Sequence, residues 1–485
     1  MVHPYADAEV HGSSAVDIAS LIAGVEQDVE AISALLPRYG RLIPRYTSYP
    51  PATRFNAQVN AAKEAEWLRA LPGGEALSLY FHVPFCDELC SFCACNTAVV
   101  RRVESRLAYG ELLLDEVDRV HGLTGAEHPI THLHWGGGTP TSLPMAAMRR
   151  VMERIRERFP LADDAEISIE LDPRHLPEDV PPQLHEMGFN RVSFGVQDLE
   201  EDVQEACGRR QTEELTAECI RAVRAAGIQA INIDLIYGLP RQTAESVART
   251  AARVAAWQPE RLAVFGYAHV PWKQKRQRLI DESTLPQVRE RLVQRQTIDA
   301  VLKRDGYQVV GLDHYVLPSD SMAEAVRQGT LRRNFQGYTV DKAKVLVGMG
   351  ASAISSYPQG LTQNAPSAAM YKNAMKARPQ SRPVLHGLER VGDDSVRARV
   401  IDKLMCLLEV DLDEEAPGHA FPELDRQIGQ YVDDGLLVLG PGSQGGGNRH
   451  LKVTELGRAF VRNIASLFDE YLPAPGSAPA HSSAL

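Results

Sequence analysis

The sequence predicts an α/β fold built on a parallel sheet, and three observations carry that expectation. Six short β-rich runs recur between residues 77 and 267, helical periodicity fills the segments between them, and glycines close several of those segments. The runs are 77–83 (LSLYFHV), 130–135 (ITHLHW), 166–171 (EISIEL), 190–195 (NRVSFG), 229–236 (QAINIDLI) and 261–267 (RLAVFGY). The helical segments include 106–120, 145–159, 212–226 and 244–256. Gly188 and Gly227 follow Met187 and Ala226, where a helix C-terminus favours left-handed backbone. Strands alternating with helices imply parallel neighbours, since parallel strands need a long crossover. Periodicity does not choose between a doubly wound sheet and an open barrel. In both, ligands gather at the C-terminal ends of the strands.

At 485 residues the chain is long enough for about three domains. Residues 1–76 form an N-terminal extension with one helical stretch, 16–36, and a Pro- and Tyr-rich segment, PRYTSYP, at 44–50. Residues 77–393 hold the sheet and its extension. Residues 394–472 read as a separate, mostly helical unit. There, helical runs at 396–408 and 421–434 precede two apolar runs around a Gly-rich loop (440–448) and an amphipathic helix over 454–471. That order resembles a winged helix. Residues 394–470 carry 14 acidic side chains against 8 basic ones, which favours packing or a lid over DNA binding. The Pro-, Ala- and Ser-rich tail, 473–485, is expected to be disordered.

Composition narrows the class. Hydrophobic residues make up 44% and charged ones 24%, ordinary for a soluble globular protein. The formal charge of −11 speaks against a nucleic-acid or anionic-membrane binder. No apolar run approaches the roughly 20 residues of a membrane span. Residues 1–16 show no basic stretch followed by an apolar one, so no secretory leader is expected and the cytoplasm is the expected location.

Of seven cysteines, Cys86, Cys90, Cys93 and Cys95 fall within ten residues, while Cys207, Cys219 and Cys406 are scattered. A disulfide framework would spread them, so the cluster points to metal chemistry. The first three have C-x3-C-x2-C spacing. Three thiolates on one loop can hold three irons of a [4Fe-4S] cube and leave the fourth open, as a catalytic metal site requires. A structural zinc knuckle normally joins two cysteine pairs across a longer loop, and Cys93 and Cys95 are too close for easy tetrahedral chelation. A ferredoxin would supply a fourth ligand, which here falls to Cys95 or is missing. Every notable segment follows a strand: the cysteines the first, Gly136, Gly137 and Gly138 the second. Glu170 ends the third strand, Gln197 follows the fourth, Asp234 closes the fifth and Ala268 follows the sixth.

The run C-x3-C-x-Φ-C, with Phe92 as the aromatic, resembles the signature of the radical S-adenosylmethionine (SAM) superfamily. Within it the chain is similar to the oxygen-independent coproporphyrinogen III oxidase (coproporphyrinogen dehydrogenase) family. The segments carrying the resemblance are PRYTSYP at 44–50, LYFHVPFC at 79–86, Cys95, HWGGGTPT at 134–141, SIELDP at 168–173 and VSFGVQD at 192–198. NIDLIYGLP at 232–240, YAHVP at 267–271 and RNFQGYT at 333–339 follow. The resemblance implies a partial (β/α)6 barrel with an N-terminal extension and a mostly helical C-terminal domain. It implies one [4Fe-4S] cluster on Cys86, Cys90 and Cys93, and two SAM molecules. The SAM on the open iron would be contacted by Tyr80, Gly137 and Glu170. The second would be contacted by Phe92, Gly138, Thr139, Gln197, Arg209, Asp234, Ala268 and Ile354. The residue types suit this: consecutive glycines admit close backbone approach, the carboxylates accept from hydroxyls or an ammonium, and Arg209 can pair a carboxylate. Read alone, each has a plainer account as a strand-end turn, loop amide, helix cap or surface cation.

The activity implied is conversion of coproporphyrinogen III to protoporphyrinogen IX, turning two propionates into vinyl groups without oxygen. The radical chemistry belongs to the cofactors, so no side chain is expected to act as acid, base or nucleophile. Electrons would come from a reducing protein such as flavodoxin or ferredoxin, and the family implies a monomer. Four substrate carboxylates call for cations, with Arg45, Lys273, Lys275 and Arg333 candidates by proximity to the motifs. Haem-trafficking relatives share the core and are the alternative reading; Cys95 and the 79 residues before Tyr80 set this chain apart from them. Two departures from the family pattern, Gly208 before Arg209 and Gly266 before Tyr267, bear on local turns.

Overall fold

The computed structural model describes residues 17–41, 43–443 and 447–472. The expected disordered tail at 473–485 and the stretch 1–16 lie outside them.

Helices α1 (Ile18–Tyr39) and α2 (Ala61–Arg69) precede the sheet. The sheet begins with β1 (Leu77–Val83), and two-residue strands β2 (Phe85–Cys86) and β3 (Ala98–Val99) flank the cysteine loop. The core continues through β4 (Ile130–Gly137), β5 (Leu161–Leu171), β6 (Arg191–Gln197), β7 (Ala230–Tyr237) and β8 (Arg261–Gly266). Neighbours from β1 to β8 in this series are all parallel. Helices α3 (Val103–Thr124), α4 (Met145–Arg158), α5 (Val180–Glu186), α6 (Glu201–Ala206), α7 (Glu213–Ala225) and α8 (Ala244–Ala256) make the crossovers, and α9 (Val288–Arg304) follows β8. All six runs read from the sequence are strands.

Side-chain alternation explains the shape. Leu77, Leu79, Phe81, Leu133, Trp135, Ile167, Ile169, Val192, Phe194, Ile231, Ile233, Leu262 and Val264 are buried in one apolar core with α3, α4, α7 and α8. Their opposite-facing neighbours are polar: Ser78, Tyr80, His132, His134, Glu166, Ser168, Glu170, Arg191, Ser193, Asn232, Asp234 and Arg261 all line a single cavity of about 320 Å³. One cavity touching all six strands means that the sheet wraps around it, as an open barrel with a polar interior.

The segment 308–389, beyond the six runs read from the sequence, adds β9 (Gln308–Val310), β10 (His314–Val316), β11 (Arg332–Asn334), β12 (Gly337–Thr339), β13 (Val345–Met349), β14 (Ile354–Tyr357), β15 (Gly360–Asn364) and β16 (Val384–Glu389). Most extend the sheet at its two edges, giving the order β16-β15-β14-β13-β1-β4-β5-β6-β7-β8-β10-β9. Strand β13 joins β1 as a seventh parallel strand. The hairpin β11–β12 spans the gap between the edges. Tyr338 packs on His314 at 5.0 Å between rings and accepts from the Leu312 amide at 2.9 Å, while Asp341 bonds Ser78 and pairs with His132.

Beyond α10 (Ser321–Arg327) and α11 (Ala368–Ala377), the C-terminal region holds α12 (Asp394–Leu407), β17 (Glu409–Asp411), α13 (Leu412–Glu415) and α14 (Pro422–Asp433). Strands β18 (Leu437–Pro441) and β19 (Asn448–Val453) complete an antiparallel β17-β19-β18 sheet, a winged-helix-like order. The single helix expected over 454–471 is instead three short pieces, Glu455–Arg458, Val461–Ala465 and a 3-10 turn at Ser466–Phe468. Tertiary contacts override the periodicity there. Gly457 lies so close to the Leu436 carbonyl that a Cβ would meet it at 2.0 Å, and Arg458 is drawn to Asp299 at 3.0 Å. This region does not keep its own core: Val25, Val29, Ile32 and Tyr39 of α1 and Leu292 and Val293 of α9 are buried with Leu404, Met405, Phe460, Ile464 and Phe468.

A fully buried ion network joins N-terminal extension, barrel and sheet edge. Arg382 donates to Glu64 Oε1 at 2.6 Å and Glu116 Oε1 at 3.0 Å, with no exposed side-chain surface on any of the three. Arg382→Met would leave two buried glutamates without their cation, an effect of about 3–5 kcal/mol. The first transition in urea should shift to lower concentration, and an unshifted midpoint would mean that the network contributes little.

Candidate active site

The C-terminal ends of β1, β4, β5, β6 and β7 converge on a second cavity of about 170 Å³. Its lining includes Cys86, Cys90, Phe92, Cys93, Cys95, Gly137, Gly138, Thr139, Glu170, Gln197, Arg209 and Asp234. Glu170, Asp234 and Cys95 also line the barrel cavity, where Tyr80 lies, so the two spaces adjoin. Neither lining includes Ala268 or Ile354. Ala268 sits beyond β8, its carbonyl accepting from Gln277 at 3.1 Å, and Ile354 opens β14 beyond the β13 edge.

The cysteine loop leaves β1 through β2 and returns through β3, and polar donors surround its sulfurs. Cys86 Sγ lies 3.1 Å from Thr97 Oγ1 and accepts from Thr139 Oγ1 at 3.7 Å. Cys90 Sγ accepts from Arg209 Nη1 at 3.4 Å and Arg174 Nη2 at 3.6 Å. Cys93 Sγ accepts from the Cys95 amide at 3.3 Å. The Cys93 thiol is drawn down to about 6 by its hydrogen bond with Cys95, whereas burial pushes the Cys86 thiol up. Such donors favour thiolates, the form that binds iron. Among the described residues no three His, Cys, Asp or Glu side chains gather closely enough to share a single metal ion. Three separated sulfurs on one loop suit three corners of a cluster better than one zinc.

Backbone geometry explains the glycines. Gly137 has φ 113°, a left-handed conformation, and its amide donates to Glu170 Oε2 at 3.1 Å. A Cβ on Gly138 would meet the Phe85 carbonyl at 2.5 Å, so only glycine lets this turn pass beneath the cysteine loop. Burial works against ionisation of Glu170, but the His134 hydrogen bond at 3.2 Å and the Gly137 amide outweigh it, and its carboxyl falls below the usual range. Tyr80 stacks on His134 at 5.8 Å and shares a hydrogen bond with His82 Nδ1 at 3.0 Å. Gln197 is held at φ 72°, unusual for a non-glycine residue and characteristic of functional turns. Asp234 accepts from Asn232 at 2.8 Å and Ser193 at 3.3 Å, yet burial pushes its carboxyl up to about 6.

Arg209 is buried and already engaged: it bonds Asp172 at 3.2 and 3.3 Å, the Gly195 carbonyl and Cys90 Sγ, leaving Nε without a partner. Sequence reasoning did not single out Asp172 or Arg174. Asp172 lies inside the quoted SIELDP, two residues past Glu170, and Arg174 follows at the same spacing. Burial opposes ionisation of Asp172, but Arg174 and Arg209 hold its carboxyl low. His82, His134, Thr97 and Arg276 also reach this site unforeseen, the first two within quoted motifs.

The comparisons agree with this geometry. The radical SAM superfamily profile matches residues 80–254, the stretch that carries the cysteine loop and most of the parallel strands. The oxygen-independent coproporphyrinogen III oxidase of Paracoccus denitrificans is 40% identical over 445 residues, covering 91% of this chain and 96% of that protein. The Escherichia coli enzyme of that name is 39% identical over 450 residues, covering 92% and 96%. A solved structure of coproporphyrinogen III oxidase from Escherichia coli superposes with a TM-score of 0.83 at 38% identity, covering 89% of this chain and all of that one. A chain with this barrel and this cysteine loop is a radical SAM protein, and a [4Fe-4S] cluster and SAM are its cofactors. Identity near 40% along almost the whole length places it further: it belongs to the oxygen-independent coproporphyrinogen III oxidase family.

The departure at Gly208 leaves the turn intact, since φ 62° is a conformation that asparagine also tolerates. Gly208→Asn should therefore leave stability within about 0.5 kcal/mol, whereas Gly208→Val should lower it by more than ~1 kcal/mol, because a β-branched residue resists positive φ. Chemical denaturation of both variants decides it; equal losses would place the constraint elsewhere than in φ.

Proposed function

We propose that this chain catalyses the oxygen-independent oxidative decarboxylation of coproporphyrinogen III to protoporphyrinogen IX in haem biosynthesis. The observation that carries the reading is a three-cysteine loop opening onto a polar barrel, in a chain about 40% identical along nearly its whole length to oxidases of that name. Bound together, the cluster and SAM supply a 5′-deoxyadenosyl radical able to take a hydrogen atom from the β-carbon of a propionate. The substrate radical would then lose CO2 and pass one electron to an external electron acceptor, leaving a vinyl group, and two such rounds would complete the conversion.

The chain's residues divide the work. Cys86, Cys90 and Cys93 hold the cluster, with Arg174, Arg209 and Thr139 donating to their sulfurs and Thr97 hydrogen-bonded to Cys86. Tyr80, Gly137 and Glu170 receive the SAM at the open iron. A second SAM is assigned to Phe92, Gly138, Thr139, Gln197, Arg209, Asp234, Ala268 and Ile354. Supporting it, Gln197 and Asp234 line the same cavity as Phe92, Gly138, Thr139 and Arg209. Ala268 and Ile354 are the weaker members, lying outside both linings. The enzyme works as a cytoplasmic monomer reduced by a flavodoxin- or ferredoxin-like protein, in keeping with its acidic charge and the absence, among the described residues, of any helix able to cross a membrane.

Anaerobic incubation with coproporphyrinogen III, SAM and a reductant should yield protoporphyrinogen IX, and recovery of substrate alone would refute the reading. Cys86→Ser, Cys90→Ser and Cys93→Ser should each lose most iron and sulfide after reconstitution. Cys95→Ser should keep them, because Cys95 donates its amide to Cys93 and its thiol is not needed as a ligand. Loss of iron from the Cys95 variant would instead make it a fourth ligand.

The stoichiometry of SAM tests the second site. Labelled SAM at anaerobic equilibrium should bind near two per wild-type chain and near one per Arg209→Ala chain. Loss of a charged hydrogen bond there corresponds to about 1.5–3 kcal/mol. One molecule per cluster-loaded wild-type chain would remove the second site and leave the radical chemistry standing.

A further inference from the structure

Four guanidinium groups from four separate segments meet beside the end of β8. Arg45, from PRYTSYP, donates to the Gly266 carbonyl at 3.3 Å. Arg333, from RNFQGYT, bonds the Arg45 carbonyl, reaches the Tyr46 carbonyl at 3.4 Å and lies 5.1 Å over the Tyr338 ring, with its Nε buried and unpartnered. Arg462, only 8% exposed, reaches the Ile43 carbonyl at 3.5 Å. Arg295 of α9 reaches the Leu312 carbonyl at 3.4 Å. The hydrogen bonds described for these side chains go to backbone carbonyls. Among the described residues Arg45, Arg295 and Arg333 form no ion pair within 4.0 Å. The nearby acids are Asp313, bonded to His314 at 2.8 Å, and Asp402, which accepts the Arg333 amide at 3.1 Å. Burial, then Arg45, Arg333 and Arg295, push the Arg462 guanidinium down to about 9, as expected where like charges crowd together.

Asp313 and Asp402 offset part of this charge, but four guanidinium groups face two carboxylates, so an anionic ligand would relieve the remaining repulsion. Arg45 and Arg333 open onto adjoining cavities of about 250 and 480 Å³ that share Tyr46 and Phe335. In register, Gly266 faces Tyr237 and Ala263 faces Asp234, so the patch lies three residues beyond Asp234, on the order of 10 Å along the strands. That is the scale separating propionates across one macrocycle. Phe265, His314 and Tyr338 line the interval with aromatic faces, 6.1 and 5.0 Å apart.

We propose that Arg45, Arg295, Arg333 and Arg462 form a carboxylate-binding patch that holds the non-reacting propionates of the tetrapyrrole and thereby presents a reacting one to the radical site. The inference rests on the activity proposed above. Guanidinium forks pair carboxylates in two-point geometry, and Arg45, Arg295 and Arg333 each have five donors of which the described backbone bonds use one or two. Of the cations expected from motif proximity, Arg45 and Arg333 belong to the patch, while Lys273 and Lys275 are exposed elsewhere on the loop after β8.

Fluorescence titration of the anaerobically reconstituted holoenzyme with coproporphyrin III and with its tetramethyl ester separates charge from shape. The wild type should prefer the acid. Arg45→Gln and Arg295→Gln should each weaken acid binding about tenfold and leave the ester unchanged, with KM rising more than kcat falls; Arg45→Lys should recover part of the loss. Arg45 is exposed, so its variants decide the matter if a variant of a more buried member fails to fold. Wild-type turnover combined with unchanged preference for the acid in the Arg45→Gln/Arg295→Gln double variant would overturn the patch alone. Failure of the wild type to bind or convert the tetrapyrrole would overturn the patch together with the proposed activity.

Discussion

Arg382 reaches Glu64 in the N-terminal extension and Glu116 on α3 from the far edge of the sheet, and the placement of the active site follows from that grip. One cation between two carboxylates leaves a net negative charge in the interior, and neutral donors supply much of its solvation, with Glu64 Oε2 and Arg382 Nε left unpartnered. Tyr357 and Thr362 donate to Glu64 at 2.8 and 2.7 Å; Tyr371, Asn364 and the Gly350 amide donate to Glu116 at 2.6, 2.8 and 2.8 Å. Gly350 leads into Ala351, whose amide donates to Tyr109, and Tyr109 donates to the His82 carbonyl at 2.8 Å. His82 touches Tyr80 and, through Nε2, the Asn96 carbonyl at 3.1 Å. A continuous set of buried hydrogen bonds thus runs from the ion network to the root of the cysteine loop. Buried bonds of this kind are costly to break one at a time, which ties the loop's position to the whole edge of the sheet.

The barrel inverts the usual packing of a closed β/α barrel, whose centre is filled by apolar side chains. Here the apolar alternates face the helices and the polar alternates face inward. An interior of Ser78, His132, Ser168, Ser193, Asn232 and Asp234 can stay hydrated or take a polar ligand, and it leads to the cluster loop at one end. At the other end, Glu166, Arg191, Arg261 and Asp320 form mutually paired charges that close the floor. The division separates a polar interior that water can enter from the end that carries the cysteine loop, Gly137, Gly138, Glu170 and Asp234. For a radical strong enough to take an unactivated hydrogen, that separation matters as much as affinity.

The parts legible in the sequence share one property: their signal is local. Strands β1 and β4 to β8 alternate apolar residues over six to eight positions, α8 begins and ends where its periodicity does, and the cysteine spacing lies within one loop. The extension strands β9 to β16 were not legible, because most are three to five residues long and owe their existence to pairing with an existing edge. The last helix failed for a related reason: Phe460, Ile464 and Phe468 keep helical spacing, but Gly457 and Arg458 answer to Leu436 and Asp299. At the site, the quoted motifs bring Cys86, Gly137, Gly138, Glu170, Gln197 and Asp234 to one cavity and leave Ala268 outside it, whereas the pairing of Arg209 with Asp172 and the Arg174 contact to Cys90 are tertiary facts. The Arg382 network was invisible, since Glu64, Glu116 and Arg382 are more than fifty residues apart and read singly as surface charges.

The shared core of α1, α9 and the C-terminal region ties the two ends of the chain together. Sequence composition suggested a separate C-terminal unit, yet Asn463 donates to the Tyr39 carbonyl at 2.8 Å, Tyr46 to Asp469 at 3.0 Å, and Tyr49 accepts from the Glu470 amide at 3.2 Å. The N-terminal motif is therefore strapped to the C-terminal end of the chain, and Arg45 lies on the strap. Arg333 binds the same strap through the Arg45 and Tyr46 carbonyls while its hairpin seals the open side of the barrel. A motion that lifts the strap would shift Arg45 and Arg462 together and loosen the hairpin. The N-terminal motif, the end of β8 and the hairpin over the barrel are thus held in register by the same two arginines, so the positions of these charges depend on the packing of both ends of the chain.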